Sequence, residues 1–204
     1  MISPAHPSAV TFTHPPAVVP THPPAVVPTH PPAVVPTHPP ARLTTHHSCP
    51  PCADVRSWLL AHDRACATPA RRADVTTFGL DWLFRYFAWG PNPWPLAWCD
   101  IPTTRTLDCG VLACLAAELL TERGLRVDRV QLVERAAPEE TTLWRARWRT
   151  AGYPHDWILS DHEVYHEALL VHVTPAPVLF DPTEASPVTR PLWMRRGERW
   201  ETCL

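Results

Sequence analysis

Apolar side chains recur three or four positions apart over residues 53–66, 74–89 and 138–150, which predicts three amphipathic helices. The third begins with Pro138 and two glutamates, a favourable helix start. A fourth helix is predicted over 109–123, closed by Gly124. Because that helix is apolar on all sides, we expect it to run through the core.

Three later stretches, 125–133, 164–173 and 178–180, are short and rich in Val, Leu and Phe, which is typical of β-strands. The last two are separated by Thr-Pro-Ala-Pro and are predicted to form an antiparallel pair. Helices precede strands along most of the chain, so the predicted fold class is α+β. The proline-rich stretch 90–98 is predicted to be a rigid aromatic loop that leads towards Cys109.

The first 47 residues contain a repeated octapeptide, Thr-His-Pro-Pro-Ala-Val-Val-Pro, which starts at Thr13 and recurs at Thr21 and Thr29. Paired prolines favour an extended polyproline backbone, so 1–47 is predicted to be a disordered arm. The favoured interpretation is a tandem duplication or read-through sequence without a function, and the alternative is a spacer or docking ligand. Residues 48–204 are predicted to form one domain.

The formal net charge is only −2, with both signs scattered along the chain, which does not favour a nucleic-acid or membrane partner. All 18 basic residues are Arg, so chemistry based on a lysine amine is excluded. The sequence has no long apolar span and no secretory pattern, and the expected location is cytoplasmic.

Seven cysteines at irregular spacing favour free thiols over a disulfide framework. One group, His46, His47, Cys49 and Cys52, has side chains that could bind zinc. The two histidines also continue the repeat, and no second Cys/His pair follows closely. The favoured interpretation therefore includes no metal and no cofactor, with a zinc site as the minority alternative.

Cys109 is the candidate nucleophile. Asp108 is a natural N-cap, which places Cys109 in the first helical turn, where backbone N–H groups and the helix dipole stabilise a thiolate. The same N–H groups could donate to an oxyanion, and Gly110 would let a carbonyl approach closely. A cysteine at a helix start is otherwise a small buried apolar residue, as expected for Cys114.

His166 and Asp181 are the candidate partners of this cysteine. His166 lies near the start of one predicted strand and Asp181 at the end of the next, so antiparallel pairing could bring the two side chains together. His166 would then remove the thiol proton, and Asp181 would orient the imidazole. His162 and His172 are rival candidates, and each could equally be an ordinary structural histidine.

A cysteine at the start of a core helix, a histidine leading a strand and an Asp-Pro-Thr closing the next together resemble transglutaminase-like proteins of the papain-like superfamily. The match covers about 106–183, and the spacing resembles compact bacterial members. This resemblance implies a papain-like α+β fold, in which the cysteine helix packs on an antiparallel sheet. It also implies Cys109 as nucleophile, His166 as general base and acid, and Asp181 as orienting carboxylate.

The motif departs from the family pattern around the nucleophile. Asp108-Cys109-Gly110 stands where Gln-Cys-Trp is common, and Glu167 follows the histidine in place of Ala-Trp. We therefore assign Asp108, Gly110, Glu167 and Trp98 as candidate substrate contacts. The only glutamine, Gln131, follows the cysteine, so Trp98 or backbone amides are expected to replace the usual side-chain oxyanion donor.

Two functional hypotheses follow. The first is a thiol enzyme that acts on an amide or acyl group of a peptide, protein or small molecule through a Cys acyl-enzyme, which is released to water or to an amine. The second is a non-catalytic binding module of the same fold whose proline-rich arm docks on a partner. The sequence does not indicate an oligomeric state.

Overall fold

The structure, a computed structural model, describes residues 50–92, 96–196 and 199–203. The predicted arm over 1–47, and with it His46, His47 and Cys49 of the zinc alternative, lie outside these residues. Within them no helix is long and apolar enough to cross a membrane. The fold is α+β, with helices first and most strands last, as the sequence predicts.

In the described part of the chain, five α-helices precede or interrupt the strands, and a 3₁₀-helix covers Trp98–Thr103. The helices are α1 (Pro50–Cys66), α2 (Pro69–Ala73), α3 (Asp81–Tyr86), α4 (Cys109–Glu122) and α5 (Pro138–Thr150). The start of α5 and the whole of α4 agree with the predicted helices. Gly124 follows α4 at φ +84°, a left-handed conformation that ends the helix.

Six antiparallel strands form the main sheet in the order β6-β5-β4-β3-β7-β8. These are β3 (Arg126–Arg135), β4 (Glu163–His172), β5 (Val178–Asp181), β6 (Ser186–Pro187), β7 (Pro191–Arg196) and β8 (Arg199–Thr202). Two shorter strands, β1 (Ala88–Trp89) and β2 (Thr106–Leu107), pair in parallel away from this sheet. The pairing of β4 with β5 confirms the predicted antiparallel pair.

The prediction of one helix over 74–89 is wrong in extent. Only α3 is helical in the second half, because Phe78 (φ 50°) and Gly79 (φ +65°) adopt left-handed conformations that a continuous helix excludes. A Cβ at Gly79 would also lie 3.2 Å from the backbone of Arg71. The chain then leaves α3 in the short strand β1 rather than continuing as a helix.

The main core lies where α4 packs on the sheet. Leu112, Leu115 and Leu119 of α4 are fully buried in one cluster with Leu169 of β4 and Phe180 of β5. Burying side chains of this size contributes about 1.5–3 kcal/mol each. This packing fixes the position of α4, including its first turn, relative to β4.

A buried ion pair ties the N-terminal helices to the end of α4. Arg123 donates from Nε to Asp63 Oδ2 over 2.9 Å, and a second guanidinium nitrogen contacts Oδ1. Trp82 of α3 also donates to Asp63 Oδ1 over 2.9 Å. Both charged side chains are less than a tenth exposed, so each depends on the other for its charge partner.

We expect Asp63→Asn to lower the free energy of unfolding by about 3–5 kcal/mol, because it leaves the guanidinium of Arg123 buried without a counter-charge. Urea denaturation measures this change. Asp54→Asn, at an exposed position of the same helix, is the matched control and should change stability by less than about 0.5 kcal/mol. Equal effects of the two variants would show that the buried pair does not stabilise the fold.

Candidate active site

Cys109 is the first residue of α4, as predicted. Asp108 is the N-cap, and its Oδ1 accepts a hydrogen bond from the backbone N–H of Val111 over 2.9 Å. Leu112 donates its backbone N–H to the Asp108 carbonyl over 3.0 Å. The N–H groups of Cys109 and Gly110 come before the first intrahelical bond, so they lie where an anion is best stabilised.

Asn92 holds Asp108, the residue before Cys109, in place. The backbone N–H of Asp108 donates to Asn92 Oδ1 over 2.5 Å, and Asn92 is only 3% exposed. Thr106 donates its hydroxyl to the Pro91 carbonyl over 2.7 Å, and Gly90 donates its N–H to the Leu107 carbonyl over 3.0 Å. The loop before Cys109 is thus fastened to the strand that leads into it.

His166 lies on β4 and contacts both predicted partners. Its imidazole is a hydrogen-bond partner of the Cys109 thiol, and Nε2 lies 3.0 Å from Asp181 Oδ1. The N–H at Nε2 is not well aligned with that oxygen, so the contact is an ion pair more than an ideal hydrogen bond. The structure therefore brings together all three residues of the predicted set.

The turn that follows β5 holds the carboxylate of Asp181 in place. Oδ1 accepts hydrogen bonds from the backbone N–H and from the hydroxyl of Thr183, each over 2.7 Å. Both residues are less than a tenth exposed. The Asp-Pro-Thr motif therefore orients the carboxylate that faces His166.

The two rival histidines lie elsewhere. His172 is at the end of β4, with Nε2 2.7 Å from the carboxylate of Asp128 on β3. His162 is exposed, and its backbone N–H donates to Ser160 Oγ over 3.1 Å. Neither residue lines the cavity next to Cys109.

That cavity has a volume of about 480 Å³ and opens beside Cys109 and His166. Three of the four residues assigned as candidate substrate contacts, Asp108, Gly110 and Glu167, line it. Its other lining residues are mostly aromatic or polar: Trp89, Pro91, Asn92, Trp148, Tyr153, Pro154, Asp156, Trp157 and Tyr165. This size and lining suit a small organic group.

Trp98 corrects the prediction made for the aromatic loop. It is 7% exposed, starts the 3₁₀-helix and packs in the main core cluster, so it does not line the cavity. The cavity wall comes instead from Trp89, before the loop, and from Trp148 and Trp157, which follow Cys109 in the sequence. Trp148 lies on the apolar face predicted for α5, and no local signal assigns that face to a cavity rather than to the core.

Glu167 belongs to a buried polar network beside the cavity. Its Oε2 pairs with Arg129 over 2.8 Å, and its Oε1 accepts from the hydroxyl of Tyr165 over 3.3 Å. Gln131 donates to that hydroxyl over 2.5 Å and accepts from Arg195 over 2.8 Å. Gln131 thus supports the sheet side of the site.

Burial raises the pKa of the Cys109 thiol, and the contact with His166 opposes this effect without overcoming it. The carboxylates of Asp108 and Glu167 also raise the pKa of this thiol. Burial of the sulfur therefore opposes the stabilisation of a thiolate that the start of α4 provides.

The imidazole and its carboxylate behave as a charged pair. Burial works to lower the pKa of His166, but the Asp181 carboxylate and Cys109 outweigh it and hold this pKa well above 6.5. Burial works to raise the pKa of Asp181, but His166 and the Thr183 hydrogen bonds hold it below 3.8. Nearby Glu134 is also electrostatically coupled to both, and burial raises its pKa.

Comparison with protein-family models, with curated proteins and with solved structures finds no match to this chain. The chemical interpretation of the site consequently depends on its own geometry and on the resemblance of its motifs.

We expect Asp181→Asn to lower the pKa of His166, because burial is then opposed by Cys109 without the carboxylate. The chemical shift of the imidazole in a pH titration measures this pKa by NMR. A titration midpoint unchanged from that of the unmodified protein would show that Asp181 does not hold the proton on His166.

The same pair predicts how stability depends on pH. A raised histidine pKa stabilises the fold below the unfolded value of about 6.5, and a lowered aspartate pKa stabilises it above about 3.8. The free-energy difference between the unmodified protein and Asp181→Asn should therefore be largest between these values and shrink outside them. Urea denaturation across this range tests it, and a difference independent of pH contradicts the pair.

Proposed function

We propose that the chain is a thiol enzyme that acts on an amide or acyl group through an acyl-enzyme on Cys109. The observation that carries the proposal is the convergence of Cys109, His166 and Asp181 beside one cavity, from a helix start and two different strands. Buried titratable groups with displaced pKa values in a cleft are typical of active sites. The resemblance of these motifs to transglutaminase-like proteins supports the same chemistry.

In the first step, the sulfur of Cys109 forms a bond to the substrate carbonyl carbon. The thiol proton passes to the imidazole of His166, which gives it to the leaving amine as the carbon–nitrogen bond breaks. In the second step, water or an amine attacks the thioester, its proton moves to His166, and the sulfur leaves. Asp181 keeps the imidazole oriented and stabilises its charged form throughout.

The raised pKa values of Cys109 and His166 set the order of proton movement. Burial favours the neutral thiol of Cys109, and the Asp181 carboxylate favours the protonated imidazole of His166. The base form of His166 must therefore be generated before it can take the thiol proton. This chemistry is expected to become faster as the pH rises above neutrality.

We infer that Asn92 supplies the side-chain oxyanion donor that no glutamine before Cys109 provides. Since its Oδ1 accepts from the N–H of Asp108, its amide NH₂ lies on the other side of the side chain. Asn92 lines the same cavity as Cys109. With the backbone N–H groups of Cys109 and Gly110, this amide could stabilise a tetrahedral oxyanion.

One observation favours the alternative of a non-catalytic binding module. Burial raises the pKa of the Cys109 thiol and so disfavours the thiolate on which nucleophilic chemistry depends. The charged pair of His166 and Asp181 would then serve as a structural contact.

Alkylation by iodoacetamide, followed at each cysteine by mass spectrometry, separates the two functions. We expect Cys109 to react in a manner that depends on His166, with a rate at least about tenfold lower in His166→Ala. Cys66 and Cys203, which are also partly exposed and not in disulfides, serve as internal controls and should react equally in both proteins. If Cys109 reacts no faster than these controls and the variant changes nothing, the binding-module alternative replaces the enzyme.

Asn92 variants test the oxyanion donor. We expect Asn92→Asp to lower the rate of acylation by an activated ester about 10²–10³-fold, because it keeps an oxygen for the Asp108 N–H but removes the amide donor. Reaction of Cys109 with iodoacetamide forms no oxyanion and should fall much less. Equal losses in both reactions would instead indicate that Asn92 only positions the start of α4.

A further inference from the structure

The chain between β3 and β4, which we call the β3–β4 connection, forms one side of the cavity. It contains α5 and the segment that follows this helix, and the chain re-enters the sheet at Glu163. Five residues of this connection line the cavity: Trp148, Tyr153, Pro154, Asp156 and Trp157. Much of the cavity wall therefore comes from a part of the chain outside both the sheet and α4.

Backbone hydrogen bonds hold the β3–β4 connection at both ends of its cavity-lining part. Tyr153 donates its N–H to the carbonyl of Trp148 over 3.0 Å, near the end of α5. At the other end, Tyr165 donates its N–H to the carbonyl of Trp157 over 2.7 Å. Tyr165 directly precedes His166 on β4, so this bond fixes the backbone at Trp157 beside the strand that carries His166.

Three indole rings pack together in the cavity wall. The centroids of Trp89, Trp148 and Trp157 lie 5.0–5.8 Å apart, and their planes are inclined by 48–83°. Tilted and edge-to-face arrangements at such distances are the favourable geometry for aromatic rings. Nε1 of Trp89 and Nε1 of Trp157 are shielded from solvent, so these indoles present ring carbon rather than N–H groups to the cavity. This part of the wall is thus apolar and suited to contact with a further ring.

The acyl group is the part of a substrate that would occupy this cavity longest. It stays bonded to the sulfur of Cys109 after the amine has left, and Cys109 lines the cavity. The volume of about 480 Å³ exceeds what an acetyl group fills and lies within the range of cavities that bind whole organic ligands. A compact acyl group would leave most of the aromatic wall without a contact.

From these observations we propose that the cavity takes a flat aromatic acyl group and that the β3–β4 connection selects it. The ring packs on the carbon surface of Trp148 and Trp157, while its carbonyl lies at Cys109. This substrate class rests on the proposed function, since the acyl group is the one transferred to Cys109. Selection depends on shape and aromatic packing, and it requires no hydrogen bond to the ring.

Three 4-nitrophenyl esters test the proposal, with propanoyl, 3-phenylpropanoyl and 3-cyclohexylpropanoyl as their acyl groups. All share one leaving group, and both rings stand two carbons from the carbonyl, which keeps their intrinsic reactivity similar. The cyclohexyl ring is at least as hydrophobic as the phenyl ring but is puckered and has no π-system, so apolar burial alone does not favour phenyl. Nitrophenolate release gives kcat/KM for each ester, divided by its rate with a free small thiol, and mass spectrometry locates the acyl group on Cys109.

We expect the 3-phenylpropanoyl ester to exceed the propanoyl ester by at least about tenfold in kcat/KM, because the ring is buried against the wall. It should also exceed the 3-cyclohexylpropanoyl ester by about twofold or more, the contribution of aromatic packing beyond burial. Both comparisons use the unmodified protein, so they do not depend on how a variant folds.

Trp157→Leu removes one ring of the wall and keeps an apolar side chain. It should lower the ratio of phenyl to cyclohexyl towards one, while the rate with the propanoyl ester changes less. Trp200→Leu is the matched control, because Trp200 is also half-buried but lies on β8, outside the residues that line the cavity. This control should leave the ratio unchanged. The same ratio in both variants and in the unmodified protein would overturn the role of the β3–β4 connection.

The outcomes distinguish this proposal from the function on which it rests. If Cys109 is acylated but the ratio of phenyl to cyclohexyl is one or below, or the phenyl ester is no faster than the propanoyl ester, the substrate class is wrong and the thiol chemistry stands. If no ester acylates Cys109, the proposed function fails. Binding of 3-phenylpropanamide and 3-cyclohexylpropanamide to Cys109→Ala, followed by tryptophan fluorescence, then tests the cavity alone: tighter binding of the phenyl compound supports the aromatic site, and equal or absent binding overturns it.

Discussion

The register of β4 between its two neighbours is the constraint on which the site depends. Ten residues of β4 pair with β3, which places Leu132 opposite His166, and three pair with β5, which places Phe180 opposite Leu169. A shift by one residue would turn every side chain of β4 to the other face of the sheet. It would therefore remove Leu169 from the core beneath α4 and separate His166 from both Cys109 and Asp181. Core packing and the site are specified by the same pairing.

Burial of Cys109 has two opposing effects on the site. The close approach of α4 to the sheet brings the Cys109 thiol against His166, but it also removes the water that would stabilise a thiolate. His166 and Asp181 form a buried pair of opposite charges instead. Thr183 donates two further hydrogen bonds to the Asp181 carboxylate. Any group that enters the cavity changes this balance, because it alters the dielectric surroundings of the sulfur.

The parts of the fold that could be predicted are those specified by local pattern. The helix at Cys109, the helix at Pro138 and the three central strands follow from apolar spacing and from caps such as Asp108 and Gly124. The left-handed turn at Phe78 and the strands β7 and β8 were missed, because a non-glycine left-handed residue and a short edge pairing leave little local signal. Asn92 and Trp157 reach the cavity only through tertiary contacts, so no spacing along the chain identifies them.

The distance along the chain between the paired strands has a consequence for folding. The whole of α5 and the segment after it lie between β3 and β4, so their antiparallel pairing closes a long loop and belongs to the slow, non-local class of folding events. Cys109 can meet His166 only after that closure. On a nascent or partly folded chain its thiol is thus an ordinary solvated cysteine. The site forms when the distant strands β3 and β4 pair, and not when α4 forms.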